Sequence, residues 1–299
     1  MRIFDCTTFF DENLMLEVRF NILNKYVDKF VVAESMYSHS GNKKKLNFNI
    51  KKFNEFKKKI IYLPIENEPT DVIYQNENNV FFEKDIDMRK NSIKRIAHQR
   101  NKLMDCLTEA DDDDYIFYSD NDEVPNFENI NLANNKNKIL IFKQKLFYYK
   151  FNLFCDRVDW YGTKGCKKKE LISFDWLREI KPKKYSTFRF DTFFSKTKYT
   201  NIKVIQNGGW HFSQLKTPQD IEIKLLNQEH HDEYRLARKN LPKVEDLVKR
   251  KTIIYDHKAK SSEYKFSKEF KLTTLSMNHM PLFLKQNVEK YHEWFDLEK

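Results

Sequence analysis

Two aspartates stand one residue apart in Ser119-Asp120-Asn121-Asp122-Glu123, directly after the apolar run Tyr115-Ile116-Phe117-Tyr118. In extended chain the side chains at i and i+2 point the same way, so both carboxylates can reach one hard cation such as Mn²⁺ or Mg²⁺. A cation held there bridges a nucleotide diphosphate and neutralises the charge of a departing phosphate. The competing reading is an acidic loop after a strand that touches only water. Position favours the first: ligands of open α/β sheets gather beyond the carboxyl ends of strands, and Pro125 stops the segment abruptly. The run Asp111–Asp114 comes before the strand and reads as a solvated turn.

Three further features invite chemistry. Arg100 sits in the middle of a stripe of Ile93, Ile96, Ala97, Leu103, Met104 and Leu107 at helical spacing. A guanidinium on an apolar face needs an anionic partner, either a phosphate or a structural acid. In Gly208-Gly209-Trp210-His211-Phe212-Ser213 the paired glycines permit a close backbone approach. His211 is then a metal ligand or phosphate donor, or else a core histidine among aromatics. Glu34 ends a strand at the same edge, where a carboxylate accepts from a ribose or base, or simply closes the strand. No P-loop, G-x-G-x-x-G turn, G-x-S-x-G elbow or H-E-x-x-H pair is present.

The elements that must position these residues alternate in type. Arg2 to Phe4 reads as a strand, followed by a helix capped by Asp11 or Thr8 and running to about Lys25. Strands follow at Phe30–Ala33 and Ile60–Leu63, then a helix from about Asn91 to Leu107, then the strand Tyr115–Tyr118. Such alternation predicts a parallel, helix-covered sheet. After Pro125 strands dominate, at Ile139–Phe142, Lys145–Phe151, Val158–Tyr161 and Leu171–Phe174. From Thr217 the spacing predicts helices over Asp220–Glu229, Asp232–Asn240 and Val244–Lys251, and a last one over Leu284–Phe295. With no repeat and no Gly/Ser linker, the chain is expected to be one domain over 1–299. Its parts are a nucleotide-binding half (1–125), a mixed-strand acceptor half (126–215) and a helical C-terminal part (216–299).

Composition bounds the possibilities. With 26 Phe, 15 Tyr and 40% hydrophobic residues among 299, the chain has ample core material and is not disordered. The net charge of +10 comes largely from lysine clusters such as Lys43–Lys45, Lys57–Lys59 and Lys167–Lys169. A solvated lysine-rich surface explains them without a polyanion, so no nucleic-acid partner is expected, although a basic nucleic-acid-binding protein is the rival from another class. Four cysteines without C-x-x-C spacing, no signal peptide and no apolar run approaching about 20 residues predict a cytoplasmic protein with free thiols and no transmembrane segment.

Together these stretches resemble glycosyltransferase family 17, the β-1,4-mannosyl-glycoprotein 4-β-N-acetylglucosaminyltransferase-like proteins. The resemblance lies in Glu12–Phe20 followed by Val27–Ser35, in Asp120-Asn121-Asp122-Glu123-Val124-Pro125 as a D-x-D-E-[IV]-P signature, and in Gly209–Ser213 followed by Thr217-Pro218, Ile221 and Lys224-Leu225. It implies a GT-A fold, a Rossmann-like mixed sheet with helices on both faces, joined here by C-terminal helices. It also implies a nucleotide-sugar donor, by default UDP-GlcNAc, a glycan or glycoconjugate acceptor, and Mn²⁺ or Mg²⁺. Carried onto this chain, Asp120 and Asp122 take the metal and diphosphate, Glu123 supports them, and Glu34 faces the nucleoside. Arg100 and Lys224 become donor-binding candidates, and His211 a metal ligand or leaving-group contact. Transfer with inversion needs a base on the acceptor hydroxyl. Asp191 and Glu123 are the residues named for it, and neither is singled out by spacing. Eukaryotic members carry an N-terminal Golgi membrane helix, whereas this chain opens on the first strand, which is expected of a bacterial or viral enzyme building a surface glycan. A catalytically silent carbohydrate-binding relative is the remaining alternative.

Overall fold

The computed structural model describes residues 1–77, 80–128, 130–183, 185, 194–195, 197–259 and 263–297. Four parallel strands form one side of its main sheet: β1 (Ile3–Phe9), β2 (Lys29–Ser35), β3 (Ile60–Ile65) and, after two short strands β4 (Gln75–Glu77) and β5 (Val80–Phe82), β6 (Tyr115–Asp120). Their apolar residues alternate between two cores. Phe30, Val32, Tyr115 and Phe117 pack on one face, and Val31, Ala33, Ile116 and Tyr118 on the other. Burial on both faces is why these strands read as near-continuous apolar runs. Helix α1 (Asn13–Leu23) covers the first face, and the 3₁₀ turn Leu103–Cys106 at the end of α2 (Asp85–Lys102) covers the second together with α3 (Phe174–Glu179).

The other side of the sheet is mixed. After the short β7 (Glu123–Pro125), β8 (Ile139–Tyr148) and β10 (Trp160–Lys167) run antiparallel to each other, and β10 pairs antiparallel with β6. The order β9-β8-β10-β6-β1-β2-β3 is extended by β11 (Ile202–Ile205) and β12 (Gly209–Ser213), both parallel to β8, with β9 being Leu153–Phe154. The fold is therefore a mixed α/β, Rossmann-like arrangement. Its register aligns the carboxyl ends of the parallel strands, with Thr8 opposite Asp120 and Phe9 opposite Glu34.

Several elements differ from the sequence reading. Leu171–Phe174 is not a strand: the Ser173 side chain accepts the Trp176 amide at 3.1 Å and opens α3. Helix α1 uses neither Asp11 nor Thr8 as its cap, and starts after Glu12. Ile93 is 51% exposed and lies off the stripe that buries Ile96 and Leu103. Asp114 is buried, where it accepts from the Arg2 amide and guanidinium. The C-terminal part holds α4 (Pro218–Asn227), α5 (His231–Ala237) and α6 (Val244–Arg250), but also an antiparallel pair, β13 (Thr252–Tyr255) and β14 (Phe266–Lys271). Strand β15 (Thr273–Thr274) then joins β9, and the tail helix α7 is confined to Leu282–Gln286. All four cysteines are buried free thiols. No described helix is long and apolar enough to cross a membrane.

Candidate active site

Strand β6 ends at Asp120 and β7 begins at Glu123, so Asp120 closes the strand and Asp122 lies in the two-residue turn that follows at the carboxyl edge of the sheet. The turn is fixed from below by Arg19 of α1, which is fully buried. Its Nε donates to Asp5 at 2.7 Å, its NH1 to the Glu123 carbonyl and its NH2 to Ser119 Oγ at 3.0 Å. From the side, the Phe212 amide of β12 donates to the Asp122 carbonyl at 2.8 Å. Gly209 is needed there: it adopts φ +124°, and a Cβ would lie 2.1 Å from the Val124 carbonyl oxygen. The glycine pair thus serves strand packing.

Each carboxylate of the turn has its own cations. Asp120 accepts from Arg178 at 2.8 Å and from the Tyr118 hydroxyl at 2.9 Å, with Arg100 at 3.8 Å. Asp122 accepts from Lys224 of α4 at 3.0 Å and faces His211 Nε2 at 3.3 Å. Burial by itself would raise both pKa values. Arg178 and Arg100 hold Asp120 below the usual carboxylate range, and Lys224 and His211 hold Asp122 well below it. Lys224 also lies 3.5 Å from Glu12, whose acidity Lys224 and Lys216 increase to a pKa of about 2 against the effect of burial.

These groups line one cleft of about 540 Å³. Thr8, Phe9, Ser35 and His39 line it at the ends of β1 and β2, and Trp160, Tyr255 and His257 line another part of it. A cleft of this volume suits a small-molecule ligand. Among the described lining residues, Arg100, Arg178 and Lys224 face Glu12, Asp120 and Asp122, and Arg100 also pairs with Asp175 at 3.1 Å.

Residues 1–169, more than half of the chain, match the family model described as Glycosyltransferase family 17. The chain belongs to this family. No curated protein matches it. Among solved structures it is similar to the one titled "Crystal structure of HddC from Yersinia pseudotuberculosis", at 10% identity and TM-score 0.34, covering 70% of this chain and 92% of that one. It is also similar to "Crystal Structure of A197 from STIV", at 13% identity and TM-score 0.27, covering 69% and 83%. As a member of family 17 it is a glycosyltransferase, with a nucleotide sugar as donor and a glycan as acceptor.

The transferase's cleft gathers Asp120, Asp122, Arg100, Lys224 and His211, all named from the sequence. Two others lie elsewhere. Glu34 is fully buried beneath the loop that follows β2 and accepts from the Asn47 and Phe48 amides at 2.7 and 3.0 Å, the Tyr62 hydroxyl at 3.0 Å and Lys44. Its oxygens are committed to holding that loop, so it does not face a nucleoside. Glu123 is also fully buried. Arg178 clamps both its oxygens at 2.8 and 3.0 Å, Trp160 Nε1 donates at 2.8 Å and the Asp120 amide at 3.1 Å. That saturated carboxylate supports the turn and has no free lone pair aimed at an acceptor, so it is not the base. Asp191 lies outside the described residues.

Sequence reasoning missed Arg178, Arg19, Glu12 and Trp160. Arg178 bridges the carboxylates of Asp120 and Glu123, and its pKa is raised above the ordinary arginine value by these two carboxylates despite burial. Buried Lys164 positions it, donating to the Arg178 and Ile180 carbonyls at the end of α3. Burial, then Arg178, lower the Lys164 pKa to about 7.

Among the described residues no three His, Cys, Asp or Glu side chains form a group able to hold a metal by themselves. Two neighbouring carboxylates held ionised at the cleft nevertheless fit a hard divalent cation that takes its remaining ligands from phosphate oxygens and water, as Mg²⁺ commonly does. Asp120 and Asp122 would hold it. The Nδ1 of His211, buried and without a protein partner among the described residues, is the one nitrogen at this centre left for a further ligand.

Proposed function

We propose that the protein is an inverting, metal-dependent transferase that moves N-acetylglucosamine from its UDP form to a glycan hydroxyl. The observation that carries this reading is the pair Asp120 and Asp122, held ionised at the carboxyl edge of the sheet between Arg100, Arg178 and Lys224. A divalent cation there would supply charge neutralisation to the leaving diphosphate. The three cationic side chains add preorganised charge at the same place. Displacement is one step. The acceptor oxygen bonds to the anomeric carbon, the bond from that carbon to the phosphate oxygen breaks, and the nucleoside diphosphate leaves with the electron pair. The proton of the acceptor hydroxyl goes to Glu179, an exposed carboxylate of the cleft wall that directly follows Arg178 in sequence.

The test measures UDP release from UDP-GlcNAc with and without Mn²⁺, in wild type and in Asp122→Ala. We expect Mn²⁺ to stimulate wild-type turnover and the variant to lose about 10²–10³-fold, the scale of one preorganised electrostatic contact. Absence of both turnover and metal-dependent nucleotide binding in wild type rejects the reading. Turnover with a different nucleotide sugar corrects only the donor.

A further inference from the structure

Beyond Asp122 part of the cleft wall is made of rings. The ring centroids of His230 and Tyr255 lie 5.7 Å apart, those of Tyr255 and His257 4.8 Å, and those of His257 and Trp160 5.7 Å. Trp160 continues the series to His211 at 4.4 Å, and His211 touches Asp122. All five rings line the cleft, and the four beyond His211 are only partly buried. The wall is therefore a run of ring faces leading outward from the carboxylate pair.

His257 and His230 are neutral at pH 7. Burial, then His211, lower the His257 pKa to about 4, and burial with Arg89 lowers that of His230. Burial keeps the Tyr148 hydroxyl protonated, 2.6 Å from His257 Nε2. Hydroxyl and neutral imidazole can each donate in that bond, and with either tautomer the Nδ1 of His257 can bond a ligand hydroxyl, as donor or as acceptor. Glu229 lines the same end, and its charge acts on Tyr255.

A diphosphate gains nothing from such a wall, because the cations it needs stand at the centre. A pyranose is the complement: its axial C–H bonds form a weakly positive apolar face for the negative ring faces, and its edge carries hydroxyls for polar groups at the rim. A nucleobase also stacks on rings, but in such sheets nucleotides bind over the carboxyl ends of the parallel strands, where Thr8, Phe9 and Ser35 line the cleft. We infer that the wall of Trp160, His257, Tyr255 and His230 is the acceptor subsite and stacks an uncharged pyranose, with His257 and Glu229 hydrogen-bonding its hydroxyls. This rests on the transferase reading for the meaning of "acceptor", though the sugar contact itself does not.

Saturation-transfer NMR tests it with four probes, the methyl glycosides of glucose, galactose, mannose and N-acetylglucosamine, each with UDP and diamagnetic Mg²⁺ present. In wild type at least one should receive saturation at its axial C–H protons. Tyr255→Ala and His257→Ala should abolish the transfer, and Tyr255→Phe should keep it. UDP affinity, measured by calorimetry, should change less than about twofold in Tyr255→Ala. The inference is overturned if no glycoside is saturated by wild type, if transfer survives both alanine variants, or if Tyr255→Ala weakens UDP more than about tenfold, which would assign the wall to the base. Failure of wild type to bind UDP at all would sink the transferase reading, while ring-dependent glycoside saturation would still uphold the wall.

Discussion

At the scale of single residues, the centre of the site is decided by which charges are free. Glu123 and Glu12 look equivalent to Glu179 in composition, but four donors saturate the first and Lys224 lies beside the second. Glu179 is exposed and borders the cleft one residue from Arg178, which leaves it able to take a proton. Glu179→Gln removes only that capacity. It should lower kcat for transfer by about 10²–10⁴-fold, the usual worth of a positioned base, while UDP affinity stays near wild type. A loss of less than about tenfold would exclude Glu179 as the base, and a collapse in Glu229→Gln instead would move the role along the wall. Asp120 and Asp122 were legible because an i, i+2 pair after an apolar strand needs no tertiary knowledge. Arg178 was not, since it lies 55 residues beyond Glu123 and meets it only through folding. Glu34 was over-read: a strand-end carboxylate looks the same in sequence whether it faces a ligand or, as here, two loop amides.

At the scale of elements, the site depends on an irregularity in β10. The pairing of β10 with β8 shifts register between Tyr161 and Lys164, and Gly162 sits inside that shift. A Cβ there would lie 2.0 Å from Gln144 Oε1 and 2.8 Å from Glu123 Cδ, while the Gly162 carbonyl accepts from Arg178 at 3.0 Å. Gly165, three residues on, is equally confined, with a Cβ 2.1 Å from the Phe117 ring, but its neighbour belongs to the core. Alanine at either position overpacks the interior and should cost about 1–3 kcal/mol. Only Gly162→Ala should also lower kcat/KM per folded molecule, because it displaces Glu123 and with it Arg178. Thermal melts paired with active-site-normalised kinetics separate the two, and equal kinetic losses would break the link between the β10 irregularity and the site. The parallel strands were readable from apolar runs buried on both faces. Helix α3 was not: its start, Leu171-Ile172-Ser173-Phe174, looks like a strand unless Ser173 is recognised as a cap.

At the scale of the whole molecule, a cleft that buries neutral histidines makes stability depend on pH. Burial, then Arg100, lower the His39 pKa to about 4, and burial, then His211 and Lys265, do the same for His257. Gln99, Asp120 and Glu12 oppose the shift at His39, and Asp256 opposes it at His257. An unfolded chain protonates both histidines below about pH 6.5, whereas the folded one resists until about pH 4. Over that window the unfolded state binds more protons, so stability is complete above pH 6.5 and is lost progressively as pH falls towards 4. The carboxylates with lowered pKa values add their own loss once pH falls into the unfolded carboxylate range, for Glu12 progressively from about 4.5 down to about 2. The melting temperature of wild type should therefore fall between pH 6.5 and 4, and less steeply in His257→Gln, whose amide oxygen can still accept from Tyr148. Acidification also adds to the charge of +10, and self-repulsion would produce a fall of its own. Salt distinguishes the causes: near 0.5 M the screening length is only about 4–5 Å, which suppresses surface repulsion but barely reaches buried rings. A pH slope that survives salt and shrinks in His257→Gln belongs to the cleft. A slope that salt removes, with the variant tracking wild type, belongs to the lysine-rich surface.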